Sequence, residues 1–234
     1  TDWRMVTFSR QINASEDDLI PFYDLPRLRE ATAIISRLPR LGFYTTSAFF
    51  NNWATNVDNQ FRVVTNQTLL TALHIGFSST EPTEPLLDEG LDAEHASEES
   101  CFGCHRQLDP MRTYFGKSFN INYQLPTNAP DDGLLFESNL TSSFAFRGVT
   151  DEGGNIGRLG SILADHPRFA PAWVQKLCLY ANSTRCDESD PAFIEISTAF
   201  RDGGFNFKDL IVDLFSSPLV THLSEPESLQ GKDP

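Results

Sequence analysis

The feature that most constrains this chain is a cysteine and histidine motif near its middle. Cys101, Cys104 and His105 form the pattern Cys-x-x-Cys-His, which occurs once. This pattern is the attachment sequence of haem c. Two thiols one helical turn apart add to the two vinyl groups of one haem edge, and the imidazole of His105 becomes the proximal ligand of the iron. The motif therefore predicts one covalently bound haem c.

Two other chemistries use the same residue types. Zinc binds Cys and His, but a structural zinc site needs a second ligand pair at similarly short spacing. The remaining cysteines, Cys178 and Cys186, are eight residues apart, which fits a zinc pair poorly. A thioredoxin-like redox pair belongs beside a βαβ pattern, which does not surround this motif. The pattern favours haem, with zinc and thiol redox chemistry as the alternatives.

The second cysteine pair predicts a disulfide. Cys178 ends an amphipathic helical pattern and Cys186 follows a polar turn, so a local bond is geometrically easy. Haem c is attached outside the cytoplasm, where disulfides persist. The two inferences agree on a periplasmic, cell-surface or extracellular protein. Two buried free thiols are the alternative.

The charge balance restricts the partners. Thirty-two acidic residues against eighteen basic ones give a formal net charge of −14. Such a chain repels nucleic acid and anionic membrane surfaces. No stretch approaches the roughly 20 apolar residues that span a bilayer, so we expect no transmembrane segment. We expect a basic redox partner protein, and the chain also leaves room for a homo- or hetero-oligomer.

The apolar periodicity predicts a mostly α fold with long irregular loops and a helical C-terminal part. One predicted helix opens at the haem motif and is interrupted or redirected by Pro110. A short strand is predicted over 144–149, followed by a turn at Gly153 and Gly154. The acidic segment 78–100 is predicted to be a loop. The other predicted helical segments are 28–38, 48–53, 65–75, 162–163, 169–180, 193–200 and 207–215.

A haem that carries electrons needs a second axial ligand. Met111 lies six residues beyond His105 and is expected to pack against the haem edge, and no Met follows it in the sequence. This shifts the prediction to two histidine ligands. His95 is predicted to bind the distal face of the iron, because its tether to Cys101 is short. His166 is the alternative, and His74 and His222 are expected to have no metal role.

These residues resemble a known family. The run from His95 through Cys101, Cys104 and His105 to Asp109-Pro110 resembles the haem c segment of a large cytochrome family of planctomycetes and myxobacteria. The family also has a histidine five residues before the first cysteine. A looser similarity extends over about residues 25–222. The resemblance implies an exported bacterial protein with a cytochrome c-like haem-binding domain over 1–125 and a companion helical domain over 126–234 packed on it.

The resemblance supplies no substrate, so three functions remain open. A monohaem electron carrier needs the two histidine ligands named above and no further cofactor. A haem-bearing subunit of a surface assembly or conductive filament would use the same haem within a larger structure. A peroxidase-like enzyme would need an open sixth position on the iron and a distal acid or base. We expect the carrier, and therefore a protein that is not an enzyme.

Overall fold

The computed structural model describes residues 6–11, 13–20, 24–37, 41–56, 59–77, 99–119 and 141–221. Helical residues far outnumber strand residues in these ranges, which confirms the mostly α prediction. The strands there are β1 (Thr7–Arg10), β2 (Ala33–Ser36), β3 (Ser143–Phe146) and β4 (Val149–Glu152). The α-helices there are α1 (Leu25–Glu30), α2 (Ser47–Asn52), α3 (Arg62–Leu73), α4 (Glu99–Gly116), α5 (Ile156–Asp165), α6 (Phe169–Asn182), α7 (Pro191–Asp202), α8 (Phe207–Phe215) and α9 (Pro218–Thr221).

The chain divides into two compact units. The first contains Thr1–Thr68 and Phe77–Ile162, and the second contains Leu69–Gly76 and Leu163–Pro234. The haem motif therefore belongs to the first unit, and the closing helices belong to the second. The predicted domain boundary between residues 125 and 126 lies outside the described residues, so the division into 1–125 and 126–234 stays a prediction.

The first unit contains a parallel strand pair that the sequence analysis missed. The predicted helix over 28–38 is wrong: α1 ends at Glu30, and β2 follows. β2 pairs with β1 in parallel, with Thr7 opposite Ala33 and Arg10 opposite Ser36. Ile34 and Ile35 are β-branched and half-buried, which suits a strand. The helical spacing of the apolar residues was therefore coincidental.

A β-hairpin replaces the predicted single strand over 144–149. β3 and β4 pair antiparallel, with Phe146 opposite Val149. The turn between them is Arg147-Gly148, and both residues have positive φ, of 50° and 81°. Two consecutive left-handed residues make the tight turn that matches the twist of a hairpin. The turn predicted at Gly153 and Gly154 lies just beyond the hairpin instead.

The haem motif lies in the first half of the long helix α4. The prediction that Pro110 interrupts or redirects this helix is wrong in part, because α4 continues through Pro110 to Gly116. Proline removes one backbone donor and costs about 3 kcal/mol inside a helix. Burial of Tyr114, Phe115 and Met111, all fully enclosed, favours helical packing on the far side of the proline. Tertiary contacts thus override the local break.

The second unit is built on the predicted closing helices. α6, α7 and α8 pack around a shared apolar core whose members recur at helical spacing: Ala170, Val174, Cys178, Phe193, Ile196, Phe200, Leu210 and Leu214. α7 begins with Asp190 as its cap, accepting from the Ala192 N–H, followed by Pro191. This arrangement is the start signal that the sequence contains.

Cys178 and Cys186 form the predicted disulfide, with their Cα atoms 5.8 Å apart. Gln175 holds the same loop, donating from Nε2 to the Cys186 carbonyl and accepting from the Cys186 N–H, each at 2.9 Å. The loop is therefore fixed by two independent means. Within the described residues, no helix combines the length and apolar character needed to cross a membrane.

Removing the disulfide should lower the stability of the second unit. We expect the double variant Cys178→Ala/Cys186→Ala to lose about 2–3 kcal/mol, because the unfolded chain regains the entropy of an eight-residue loop. Urea unfolding at fixed pH measures this loss. A reductant should weaken the wild-type protein by a similar amount and leave the variant unchanged. Equal sensitivity of both proteins to the reductant would contradict the assignment.

Candidate haem-binding site

The motif residues share one face of α4. Cys101 and Cys104 are three residues apart and His105 is four residues beyond Cys101, so their backbone positions lie on one side of the helix. Cys104 is half-buried and is not part of a disulfide. The side chain of His105 is 18% exposed. The spacing that the haem motif requires is therefore realised on a regular helix.

The ring of His105 is held by a carboxylate one turn further along α4. Its Nδ1 atom lies 3.2 Å from Oδ1 of Asp109, whose side chain is fully buried. A carboxylate only accepts hydrogen bonds, so Nδ1 carries the proton. In that tautomer Nε2 carries the lone pair. Imidazoles that bind metals in proteins are commonly held by such a bond at the other ring nitrogen.

Asp109 is in turn anchored by two arginines. Arg62 donates from Nε to Oδ1 at 2.6 Å and from a terminal nitrogen to Oδ2 at 3.1 Å. Arg112 lies further away, with its Nε 3.6 Å from Oδ1. Burial raises the pKa of Asp109, but the hydrogen bond from Arg62 and the charges of Arg112 and Arg62 hold it below its usual value. Asp109 is therefore ionised at neutral pH.

A strained turn before α3 delivers Arg62 to this position. Gln60 and Phe61 both have left-handed φ, 45° and 68°, which side chains larger than glycine rarely adopt. Thr55 Oγ1 accepts from the Phe61 N–H at 2.6 Å, and Gln60 accepts from Arg112 at 2.6 Å. Backbone strain of this kind persists only where surrounding contacts determine it, and it often marks functional sites.

Aromatic rings pack against the C-terminal half of α4 and the residues that follow it. Phe61 stacks on Phe115 with ring centroids 6.2 Å apart, and Phe50 meets Phe119 edge-on at 5.2 Å. Met111 is fully buried. It lies about 240° round the helix from His105, so the two side chains leave α4 in different directions. Its contact with a haem edge stays a prediction.

His166 differs from His105 in its hydrogen bonding. It is 3% exposed and lies in the second unit, between α5 and α6. Its Nδ1 accepts from the backbone N–H of Arg168 at 3.1 Å. Because a backbone N–H only donates, Nδ1 of the neutral ring carries the lone pair and Nε2 carries the proton. The ring could bind iron through Nε2 only by giving up this hydrogen bond.

The remaining ligand candidates have separate outcomes. His95 and His222 lie outside the described residues. His74 directly follows α3, and its Nε2 is buried with no hydrogen-bond partner among the described residues. Burial, together with the charges of Lys176, Arg185 and Arg168, lowers the pKa of His74 despite the opposing charge of Glu188. His74 is thus a neutral imidazole in the second unit.

The residue that sequence reasoning missed is Arg62. It contacts Asp109 across 47 positions of sequence, and nothing in the local pattern around it signals that pairing. Asp109 entered the sequence analysis only as part of a family motif. A signal was present in its spacing, because a residue four positions after a helical His105 lies on the same face.

The alternative zinc site gains no support from the other cysteines. Cys178 and Cys186 are joined to each other, so neither is a thiolate ligand. Across the described ranges, no group of three or more His, Cys, Asp or Glu side chains is placed to hold a metal ion.

The stability of the second unit should depend on an ion pair beside His166. Arg168 donates to both carboxylate oxygens of Glu188, at 2.5 and 3.2 Å. This hydrogen bond lowers the pKa of Glu188 from its usual 4.5, more than burial raises it. The stabilisation is therefore present above about pH 4.5 and is lost as the pH falls through the lowered pKa.

We expect the Glu188→Gln variant to be less stable than wild type near neutral pH and to approach it in acid. Urea unfolding of both proteins from about pH 7 to about pH 3 gives the difference directly, since the other carboxyl groups are common to both. If the difference in unfolding free energy between the two proteins stayed constant over this pH range, the contribution of Glu188 to stability would not depend on its charge.

No protein-family profile, no curated protein and no solved structure matches this chain. The chemistry of the site therefore has to be argued from its own residues and their geometry.

Proposed function

We propose that this chain is an exported monohaem c-type cytochrome that acts in electron transfer. The observation that carries the proposal is the hydrogen bond from His105 Nδ1 to the buried carboxylate of Asp109, which leaves the lone pair on Nε2. This is the state that a proximal haem ligand needs, and it occurs directly after Cys104 on the same helix. The motif and the geometry are independent arguments for the same group.

Each residue has a definite role in this proposal. Cys101 and Cys104 hold the haem through two thioether bonds, and His105 binds the iron from the proximal side. Asp109 keeps the ring of His105 in one tautomer and one orientation. When bound, the haem supplies reversible one-electron oxidation and reduction. The cytochrome c-like character of the segment within 1–125 belongs to this proposal, as does the resemblance of residues 95–110 to the planctomycete and myxobacterial family.

His95 is the proposed distal ligand, giving two histidine ligands. Five residues separate it from Cys101, and such a tether spans at most about 20 Å, enough to pass round a haem edge. The short loop also limits the entropy lost on ligation. The alternative, His166, would have to break its bond from the Arg168 N–H. That cost favours His95.

The charge of the chain supports a basic redox partner. The formal net charge is −14, and residues 78–100 contain eight acidic residues and no Lys or Arg. Because this segment precedes the haem cysteines, its charge would attract a basic protein toward the haem and make the association rate fall with added salt. The disulfide is compatible with export.

A peroxidase-like enzyme is the second candidate, and one observation favours it. A buried, ionised Asp109 makes the imidazole of His105 a stronger electron donor, which stabilises higher oxidation states of a bound iron. Such an enzyme needs a vacant or displaceable distal position. Carbon monoxide separates the two functions, since a carrier with two firm histidine ligands does not bind it at rest.

Covalent attachment should depend on the motif cysteines alone. Exported in a bacterium that attaches haem c, the full chain should show the mass of the polypeptide plus one haem. Cys101→Ser/Cys104→Ser should show the polypeptide mass only, because neither thioether can form. The matched control is Cys178→Ser/Cys186→Ser, which removes the other two cysteines and should keep its haem.

Intact-mass spectrometry under denaturing conditions measures all three proteins. An unmodified wild-type mass, with zinc found in the native protein, would replace the proposal by the zinc alternative. Two haems per chain would contradict the single motif.

The distal ligand should follow His95. We expect His95→Ala to keep its covalent haem but to change from a six-coordinate low-spin ferric spectrum to a high-spin one, because one axial ligand is lost. His166→Ala should keep the low-spin spectrum. Optical and electron paramagnetic resonance spectra measure the spin state. If His166→Ala became high-spin and His95→Ala stayed low-spin, the distal ligand would be His166.

A further inference from the structure

One carboxylate oxygen in the first unit is shared between two donors. Oδ1 of Asp109 lies 3.2 Å from His105 Nδ1 and 2.6 Å from Arg62 Nε. The second oxygen, Oδ2, accepts from Arg62 at 3.1 Å. Arg62 therefore donates to both carboxylate oxygens. His105 is hydrogen-bonded to Oδ1, which is also the oxygen nearer to Arg62.

Sharing of this kind makes the two contacts compete. A hydrogen bond to a full carboxylate draws the Nδ1 proton toward the oxygen and makes the imidazole a stronger donor at Nε2. A guanidinium on the same oxygen withdraws electron density from it and weakens that effect. Asp109 is fully buried, and electrostatic interactions are stronger where water is excluded.

Arg112 provides an internal comparison, because it has the same charge in a different relation to the carboxylate. Its Nε lies 3.6 Å from Oδ1, beyond hydrogen-bond distance, and it donates instead to Gln60 at 2.6 Å. Both arginine side chains are nearly enclosed, with 9% and 3% exposed. If the arginines acted on His105 only through their charge, replacing either one should change the donor strength of His105 by a similar amount.

We propose that Asp109 and Arg62 act as a pair of positioning residues that set the electron-donating strength of His105 from opposite sides. Asp109 increases it, and Arg62 limits the increase by holding the same oxygen. The inference rests on the proposed function, in which His105 binds the haem iron. It assigns to Arg62, 43 positions earlier in the sequence, control over the reduction potential of the haem.

A merely structural ion pair is the competing explanation. Buried Arg–Asp pairs also hold folds together, and breaking one is strongly destabilising. In that case Asp109→Asn and Arg62→Gln would both loosen α4, and both would change the reduction potential of the haem in the same direction. A purely structural role does not produce shifts of the potential in opposite directions.

The first experiment measures the reduction potential of the haem-loaded full chain at one pH. We expect Asp109→Asn to raise the potential, because a weaker donor at the iron stabilises the ferric state less. Arg62→Gln should lower it, because the carboxylate is released to His105. Arg112→Gln is the matched control for charge and should shift the potential clearly less than Arg62→Gln. Equal shifts in the two arginine variants would overturn the proposal.

The second experiment needs no haem. In the full-length Cys101→Ser/Cys104→Ser chain, nitrogen-15 NMR of His105 should show a proton on Nδ1. That proton signal should move further downfield when Arg62→Gln is added and should hardly move when Arg112→Gln is added. A proton on Nε2 in the parent chain would overturn the proposal whether or not any variant folds.

The two experiments also separate this inference from the proposed function. If the wild-type chain attaches no haem but shows the predicted NMR behaviour, the cytochrome proposal fails and the sharing of Asp109 stands. If haem attaches to the wild-type chain but the Nδ1 proton signal of the Cys101→Ser/Cys104→Ser chain does not respond to Arg62→Gln, the cytochrome proposal stands and the sharing fails.

Discussion

The first unit depends on one buried carboxylate. Asp109 is fully enclosed, and a lone charge in that position would cost several kcal/mol. Its compensation comes from Arg62 on another helix and from Arg112 and His105 on its own. Arg62 thereby ties the first residue of α3 to the middle of α4. These contacts also give the haem-motif histidine a single ring orientation, so the same interaction organises the fold and the site.

Several local features of this chain could be predicted from its sequence, and its distant pairings could not. Helices α6, α7 and α8 follow from apolar spacing and from the start signal at Asp190-Pro191. The Cys178–Cys186 disulfide follows from an eight-residue loop. The strand over 33–36 was predicted as helix, because its apolar residues fit either pattern and its partner is 26 positions away. Only the tertiary contact decides between them.

The site shows the same division between local and distant information. The arrangement of Cys101, Cys104 and His105 on one helical face follows directly from their spacing. The role of Asp109 follows from the fold of that helix, since a four-residue spacing brings it beside His105. Arg62 requires the strained turn at Gln60 and Phe61, and no local pattern announces that turn. The proposal of His95 as the distal ligand rests on its sequence position alone.

Two histidines of this chain carry their protons on opposite ring nitrogens, and this contrast supports the proposal that His105 is a haem ligand. His105 donates from Nδ1 to a carboxylate, whereas His166 accepts at Nδ1 from an amide. A pyridine haemochrome spectrum of the purified full chain shows whether the motif carries a covalent haem. We expect the spectrum of a haem joined by two thioether bonds, in a ratio of one haem to one chain. A correctly folded, exported chain with no haem, or a haem that organic solvent extracts, would contradict it.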